Sequence, residues 1–144
     1  MRISTRGRYA LRAILDVARH SGNGPVSRQD IAERQEISAE YVAQLFRPLQ
    51  SADLVEGVKG PGGGYRLGRE AGLIRAGDVI RAVEGPVAVV HCTLPCPDEG
   101  PACHQRVDSC VTHFLWRQVS EAVTDVLDSV TIEDMCEQAD QLPV

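Results

Sequence analysis

Aromatic side chains are scarce in this sequence: 144 residues hold one Trp, three Tyr and two Phe. Leucine, valine, isoleucine and alanine must therefore build the core. No apolar run approaches about 20 residues, so no membrane-spanning helix is expected. The opening residues, MRISTRGRYALRAILD, carry arginines but no uninterrupted apolar stretch ahead of a small-residue cleavage site. They do not read as a secretory signal, and a cytoplasmic location is expected. No Cys-x2-Cys pair occurs, which argues against the usual structural zinc site and against thioredoxin-like chemistry. The run GPGGGY lacks the Gly-Lys-Ser/Thr ending of a phosphate-cradling loop, and it lacks the G-x-G-x-x-G spacing that opens a dinucleotide-binding helix. No paired carboxylates, nucleophile–base pair or substrate-pocket signature is visible, so an enzyme is not expected.

Positive charge is missing from the second half. Residues 1–70 carry 11 Lys and Arg against 8 Asp and Glu, whereas residues 71–144 carry 4 against 12. The overall charge of −5 thus hides a basic half joined to an acidic one, a distribution that suits a polyanion partner for the first half only. Hydrophobic content of 43% and charged content of 24% are ordinary for one soluble domain with a single substantial core.

What is present is strong helical periodicity. In STRGRYALRAILDVARH, Tyr9, Ala10, Ala13, Ile14, Val17 and Ala18 recur at three-and-four spacing, and SGNGP stops the helix. Ser27 can cap a second helix, with Asp30 three residues on. Ser38 can cap a third, AEYVAQLFRPLQSA, with Val42, Leu45, Phe46 and Leu49 on one face. Pro48 predicts a kink or an early end there. Leu54–Val58 and Tyr65–Leu67 are short strands flanking KGPGGG, a hairpin tip longer than two residues. IRAGDVIRAVEG is a short helix closed by Gly85–Pro86, and VTHFLWRQVSEAVTDVLDSV is the longest helix signal. Its stripe runs through Leu115, Val119, Ala122, Val126 and Val130, widened by Val123 and Leu127. A capped terminal helix, IEDMCEQAD, follows Thr131.

Two short helices followed by a glycine-tipped hairpin predict a winged helix-turn-helix, whose second helix enters the major groove. The expected fold class is mostly α with a small β-hairpin wing and a long dimerisation helix. The expected division is a winged domain over 1–85, a cysteine-rich loop over 86–110, and dimerisation and C-terminal helices over 111–144. Gln44 can pair with adenine, Arg47 can contact guanine or phosphate, and Ser38 and Tyr41 can bond phosphates. Lys59 beside Gly62, Gly63 and Gly64 would bring the wing close to a groove or a phosphate. An ordinary three-helix core with a polar face fits the same pattern. The long stripe likewise fits either packing onto its own chain or a homodimer interface, and its five turns favour the dimer.

Residues 92–110, CTLPCPDEGPACHQRVDSC, hold Cys92, Cys96, Cys103 and Cys110. Iron–sulfur clusters accept such irregular spacing. His113, three residues beyond Cys110, is either an added ligand or a surface histidine at a helix start. Cys136 sits apart and reads as a small core residue.

These segments together resemble the Rrf-two family of bacterial winged helix-turn-helix transcriptional regulators. The resemblance rests on GRYALRAILDVA, ISAEYVAQLFRPLQSADLV, VKGPGGGYRL, GDVIRAVEG and CVTHFLW. It implies a homodimer bound to double-stranded promoter DNA. It also implies an iron–sulfur cluster, 2Fe–2S in preference to 4Fe–4S, held by three loop cysteines. Cys103 and Cys110 match two of these, and either Cys92 or Cys96 matches the first. Where some relatives use an acid or histidine of the partner's first helix as fourth ligand, this chain has Arg8 and Arg12. His113 or the extra cysteine therefore enters the reckoning. Other members carry no cluster and respond through thiol oxidation or a protein partner.

Overall fold

The computed structural model describes residues 3–94 and 110–143. Among the described residues there are six α-helices and one hairpin: α1 (Thr5–His20), α2 (Arg28–Gln35), α3 (Ala39–Ser51), β1 (Val55–Val58), β2 (Gly64–Leu67), α4 (Ala76–Glu84), α5 (Val111–Ser129) and α6 (Ile132–Gln141). Single 3-10 turns occupy Ser21–Asn23, Ala71–Leu73 and His91–Thr93.

Side-chain caps fix where four of the helices begin. The hydroxyls of Ser4, Ser27, Ser38 and Thr131 accept the backbone N–H of Gly7, Asp30, Tyr41 and Asp134 respectively, each satisfying an amide that the first turn leaves without a partner. At α6 the bond is reciprocal, with Asp134 accepting from the Thr131 N–H at 2.9 Å. Helix α2 ends at Glu36, which takes a left-handed conformation (φ 57°) and sends its N–H back to Ala32 and Glu33. That tight turn sets α3 across α2.

Helix α3 does not stop at Pro48. It continues to Ser51, and the Pro48 carbonyl still accepts from Ala52 at 3.1 Å. The ring costs only the bond to the carbonyl of Gln44, an exposed residue whose oxygen water can reach.

The core lies between α1, α3, α4 and the hairpin. Ala10, Ala13, Ile14, Val17, Val42, Leu45, Phe46, Leu49, Val79 and Ile132 are fully buried in it. Phe46 stacks on Tyr65 of β2 with ring centroids 4.2 Å apart. Each such large side chain contributes roughly 1.5–3 kcal/mol on burial. Ile132 comes from beyond the long helix. The chain returns to the core after α5, where Arg75 and Thr131 bridge as antiparallel strands and Ile132 donates to Ile74 O at 2.8 Å. Cys136, half-buried, packs on the edge of this core.

The hairpin pairs Val55 with Leu67 and Val58 with Gly64. Val26, just before α2, lays a third segment beside β2 by exchanging two 2.8 Å bonds with Tyr65. Gly64 is dictated by this contact: a Cβ there would overlap the Val26 carbonyl, and its φ of 154° is one that side chains rarely adopt.

Two ion-paired joints hold the helices. Asp16 of α1 is buried and takes both arms of Arg34 (2.9 and 2.7 Å) and the Gln35 amide (2.9 Å) from α2. Burial works to raise its carboxyl, but those bonds and the Arg34 charge outweigh it and hold the group below its usual value. Arg81 of α4 grips Asp128 near the end of α5 at 2.7 and 3.3 Å, and Gly77 beside it leaves room for that carboxylate.

Candidate nucleic-acid interface and thiol site

Helix α3 turns Val42, Leu45, Phe46 and Leu49 inward and leaves Gln44 and Arg47 exposed. These two join Arg6, Tyr41 and Pro48 around a depression of about 300 Å³. Tyr41 is half-buried, its ring edge-on to Tyr9 with centroids 6.0 Å apart. Ser38 is exposed at the head of the helix, its oxygen engaged by the Tyr41 N–H and its hydroxyl proton still available to an acceptor.

On the other side of α3, a groove of about 650 Å³ separates the wing from the start of α2. Arg28, Gln29, Gln50, Lys59 and Gly63 are among the residues that line it. Lys59, Gly60, Pro61 and Gly62 are exposed at the tip, with Gly60 and Gly62 at positive φ. Gly63 and Gly64 are half-buried and hold the hairpin's own shape, since a Cβ at Gly63 would overlap the Val58 carbonyl. Arg66 is spent across the wing on Glu56, donating at 2.8 Å.

Sequence reading missed Arg6 and Arg28. Arg6 lies off the apolar row of α1, and nothing in helical periodicity distinguishes a solvated arginine from one beside the recognition helix. Arg28, the first residue of α2, reaches toward the Tyr65 hydroxyl at 3.5 Å. It meets Lys59 in the groove only because Val26 draws α2 onto the hairpin.

At the far end of the molecule the chain leaves α4 through Gly85 (φ 84°) and runs to the turn at His91–Thr93. Ser120, the one buried residue of α5, holds this segment by accepting the Val89 N–H at 3.1 Å and lying 3.2 Å from the Thr93 hydroxyl. The Cys92 sulfur then sits 3.3 Å from Nδ1 of His113. Cys110 stands at the residue just before α5, and its sulfur lies 3.3 Å from the Thr112 hydroxyl. That hydroxyl, followed by the His113 backbone N–H, lowers the Cys110 thiol from its ordinary value. His113 therefore meets the Cys92 sulfur through its ring, while its backbone N–H donates to the Cys110 carbonyl at 3.2 Å. Cys96 and Cys103 lie outside the described residues. Among the described residues, no three His, Cys, Asp or Glu side chains converge as a metal site would require.

The same end of α5 presents Val111 (87% exposed), Phe114 (62%), Leu115 and Trp116 to the surface. Among the described residues, no helix is long and apolar enough to cross a membrane.

The family model Rrf2, described as an iron-dependent transcriptional regulator, matches residues 3–138. The chain is 46% identical over all 144 residues to the HTH-type transcriptional regulator IscR of Xenorhabdus nematophila, covering 84% of that protein. It is 44% identical over the same length to IscR of Pectobacterium atrosepticum. Among solved structures, CymR, the global cysteine regulator of B. subtilis, superposes with a TM-score of 0.78 at 37% identity, over 96% of this chain and 98% of that one. The IscR of T. potens superposes with a TM-score of 0.77 at 37% identity, over 100% and 93%.

Proposed function

Since the chain belongs to the Rrf2 family of transcriptional regulators, we propose that it is a cytoplasmic homodimer whose affinity for promoter DNA is set by an iron–sulfur cluster. The observation that carries this reading is the placing of the Cys92 sulfur 3.3 Å from the His113 ring at the N-terminal end of α5, the helix that follows Cys110. Two thiols and an imidazole are donors that an iron–sulfur cluster accepts. They fit such a group, and Cys96 or Cys103, from the same segment, would complete the set. When bound, the cluster supplies a soft, redox-responsive link between the 86–94 segment and α5.

The chain's own residues do the rest. Exposed Val111, Phe114, Leu115 and Trp116 are the surface that a second copy would cover, setting two α3 helices about one DNA turn apart. Gln44 and Arg47 face base edges, while Arg6, Arg28 and Lys59 neutralise phosphates on either side. Ser38 donates its free hydroxyl proton to a phosphate oxygen. Tyr41, wedged on Tyr9, steadies the depression from within.

Purification without oxygen, followed by an absorption spectrum and assays of iron and acid-labile sulfide, tests the cluster. A coloured product with sulfide matching iron is expected, and Cys110→Ala should lose it. A colourless chain that cannot be reconstituted removes the cluster from this reading. It would leave a thiol switch, which the lowered Cys110 thiol favours. The chain is also 36% identical, with a TM-score of 0.71, to Staphylococcus aureus CymR solved in an oxidized form.

A further inference from the structure

Helix α3 carries one acidic residue, Glu40, and the fold places it on the DNA-facing side. Glu40, Gln44 and Arg47 are all exposed and stand at i, i+4 and i+7, so they form one row along the helix. Among the described residues Glu40 takes part in no ion pair. The cap of α3 is already supplied by Ser38, whose oxygen meets the Tyr41 N–H at 3.0 Å. Among the described residues, no side chain therefore holds this carboxylate.

An ionised carboxylate only accepts hydrogen bonds, and phosphates repel it. On a face that approaches DNA it must find a donor among the bases. Guanine and the thymine oxygen offer acceptors in the major groove, and adenine sets its amino group beside the N7 acceptor. Cytosine presents its N4 amino group alone. Resting on the regulator reading above, we infer that Glu40 is a specificity-determining residue that selects cytosine at one position of each half-site.

Four residues of helix advance about 6 Å, close to two base-pair steps of about 3.4 Å. The cytosine selected by Glu40 thus lies about two base pairs from the base read by Gln44. The charges of Glu40 and Arg47 cancel along the row, so the recognition helix contributes selection, and attraction to the duplex comes from Arg6, Arg28 and Lys59 at its flanks.

Iterative selection from random double-stranded DNA, run with the intact chain and with Glu40→Ala and Glu40→Gln, decides the matter. The unaltered chain should prefer cytosine about tenfold or more at one position per half-site. Glu40→Ala should flatten that position alone and raise affinity for random DNA severalfold, because a charge of the phosphates' own sign has gone. Gln44→Ala should flatten a position about two base pairs away. A role confined to the helix dipole would lower the melting temperature and leave every base preference in place. That outcome, or a flattened position occupied by any base other than cytosine, overturns the inference. Failure of the unaltered chain to select any sequence overturns the regulator reading along with it.

Discussion

Phe46 and Trp116 are both aromatic residues on helices of one small chain, yet Phe46 is wholly buried while Trp116 is 38% exposed with Phe114 at 62% beside it. The winged end closes its apolar surface within the chain, using α6 from the far C-terminus to supply Ile132. The N-terminal half of α5 does not, and among the described residues its only buried side chain is a serine that ties down the 86–94 segment. Where the chain finishes its own packing it makes a rigid reader. Where α5 leaves its apolar side chains exposed, Cys110 and His113 sit alongside.

The largest break in this contrast comes from Phe46→Ala, which leaves a cavity under Tyr65 and should lower the unfolding free energy by about 3–5 kcal/mol in urea titrations. Paired substitution of Phe114 and Trp116 with serine should leave the helical circular dichroism intact and turn a dimer into a monomer in sedimentation. Truncation before Val111 is a poorer test, because it also strips Ile132 from the core. A smaller effect, about 2 kcal/mol, is expected for Asp16→Asn, which strands Arg34. Because the folded Asp16 carboxyl lies below its unfolded value, its stabilisation is present above the unfolded pKa of about 3.9 and disappears as pH falls through the folded one. Unfolding midpoints compared at pH 7 and pH 3 should therefore show a gap between the two proteins that narrows at the lower pH. The smallest effect belongs to the exposed wing. Lys59→Ala should leave stability unchanged and reduce the slope of log affinity against log salt by about one.

The helices and hairpin were legible because each has a period and a stop: the apolar rows of α1 and α3, the serine caps, the glycines at the wing. Contacts between residues distant in sequence were not. Val26 reads as the residue before a cap, and only its bridge to Tyr65 ties the start of α2 to the hairpin and brings Arg28 to the groove beside Lys59. Ile132 reads as the start of a terminal helix, with no hint that it completes the core of residues 10–83. Pro48 does not end α3, because the cost of a proline depends on the carbonyl it orphans, and that of Gln44 lies at the surface. For the thiol site, the cysteine count announced soft-donor chemistry. Spacing alone could not say that Cys92 meets His113, since twenty-one residues of chain separate them.

Gly77 and the Arg81–Asp128 grip have a mechanical consequence. They fasten α5 to α4 near its C-terminal end, while Cys110 and His113 ride at the other end of a 19-residue helix. At about 1.5 Å per residue this is a beam of about 28 Å, anchored at its root and loaded at its tip. A tilt of about five degrees at the root carries the tip through roughly 2.5 Å on that length. Conversely, a sub-ångström adjustment around the sulfurs becomes a turn of a degree or two where α5 meets the reader. On such a beam, a small displacement at the tip corresponds to a small, stiff rotation where α5 joins the winged module.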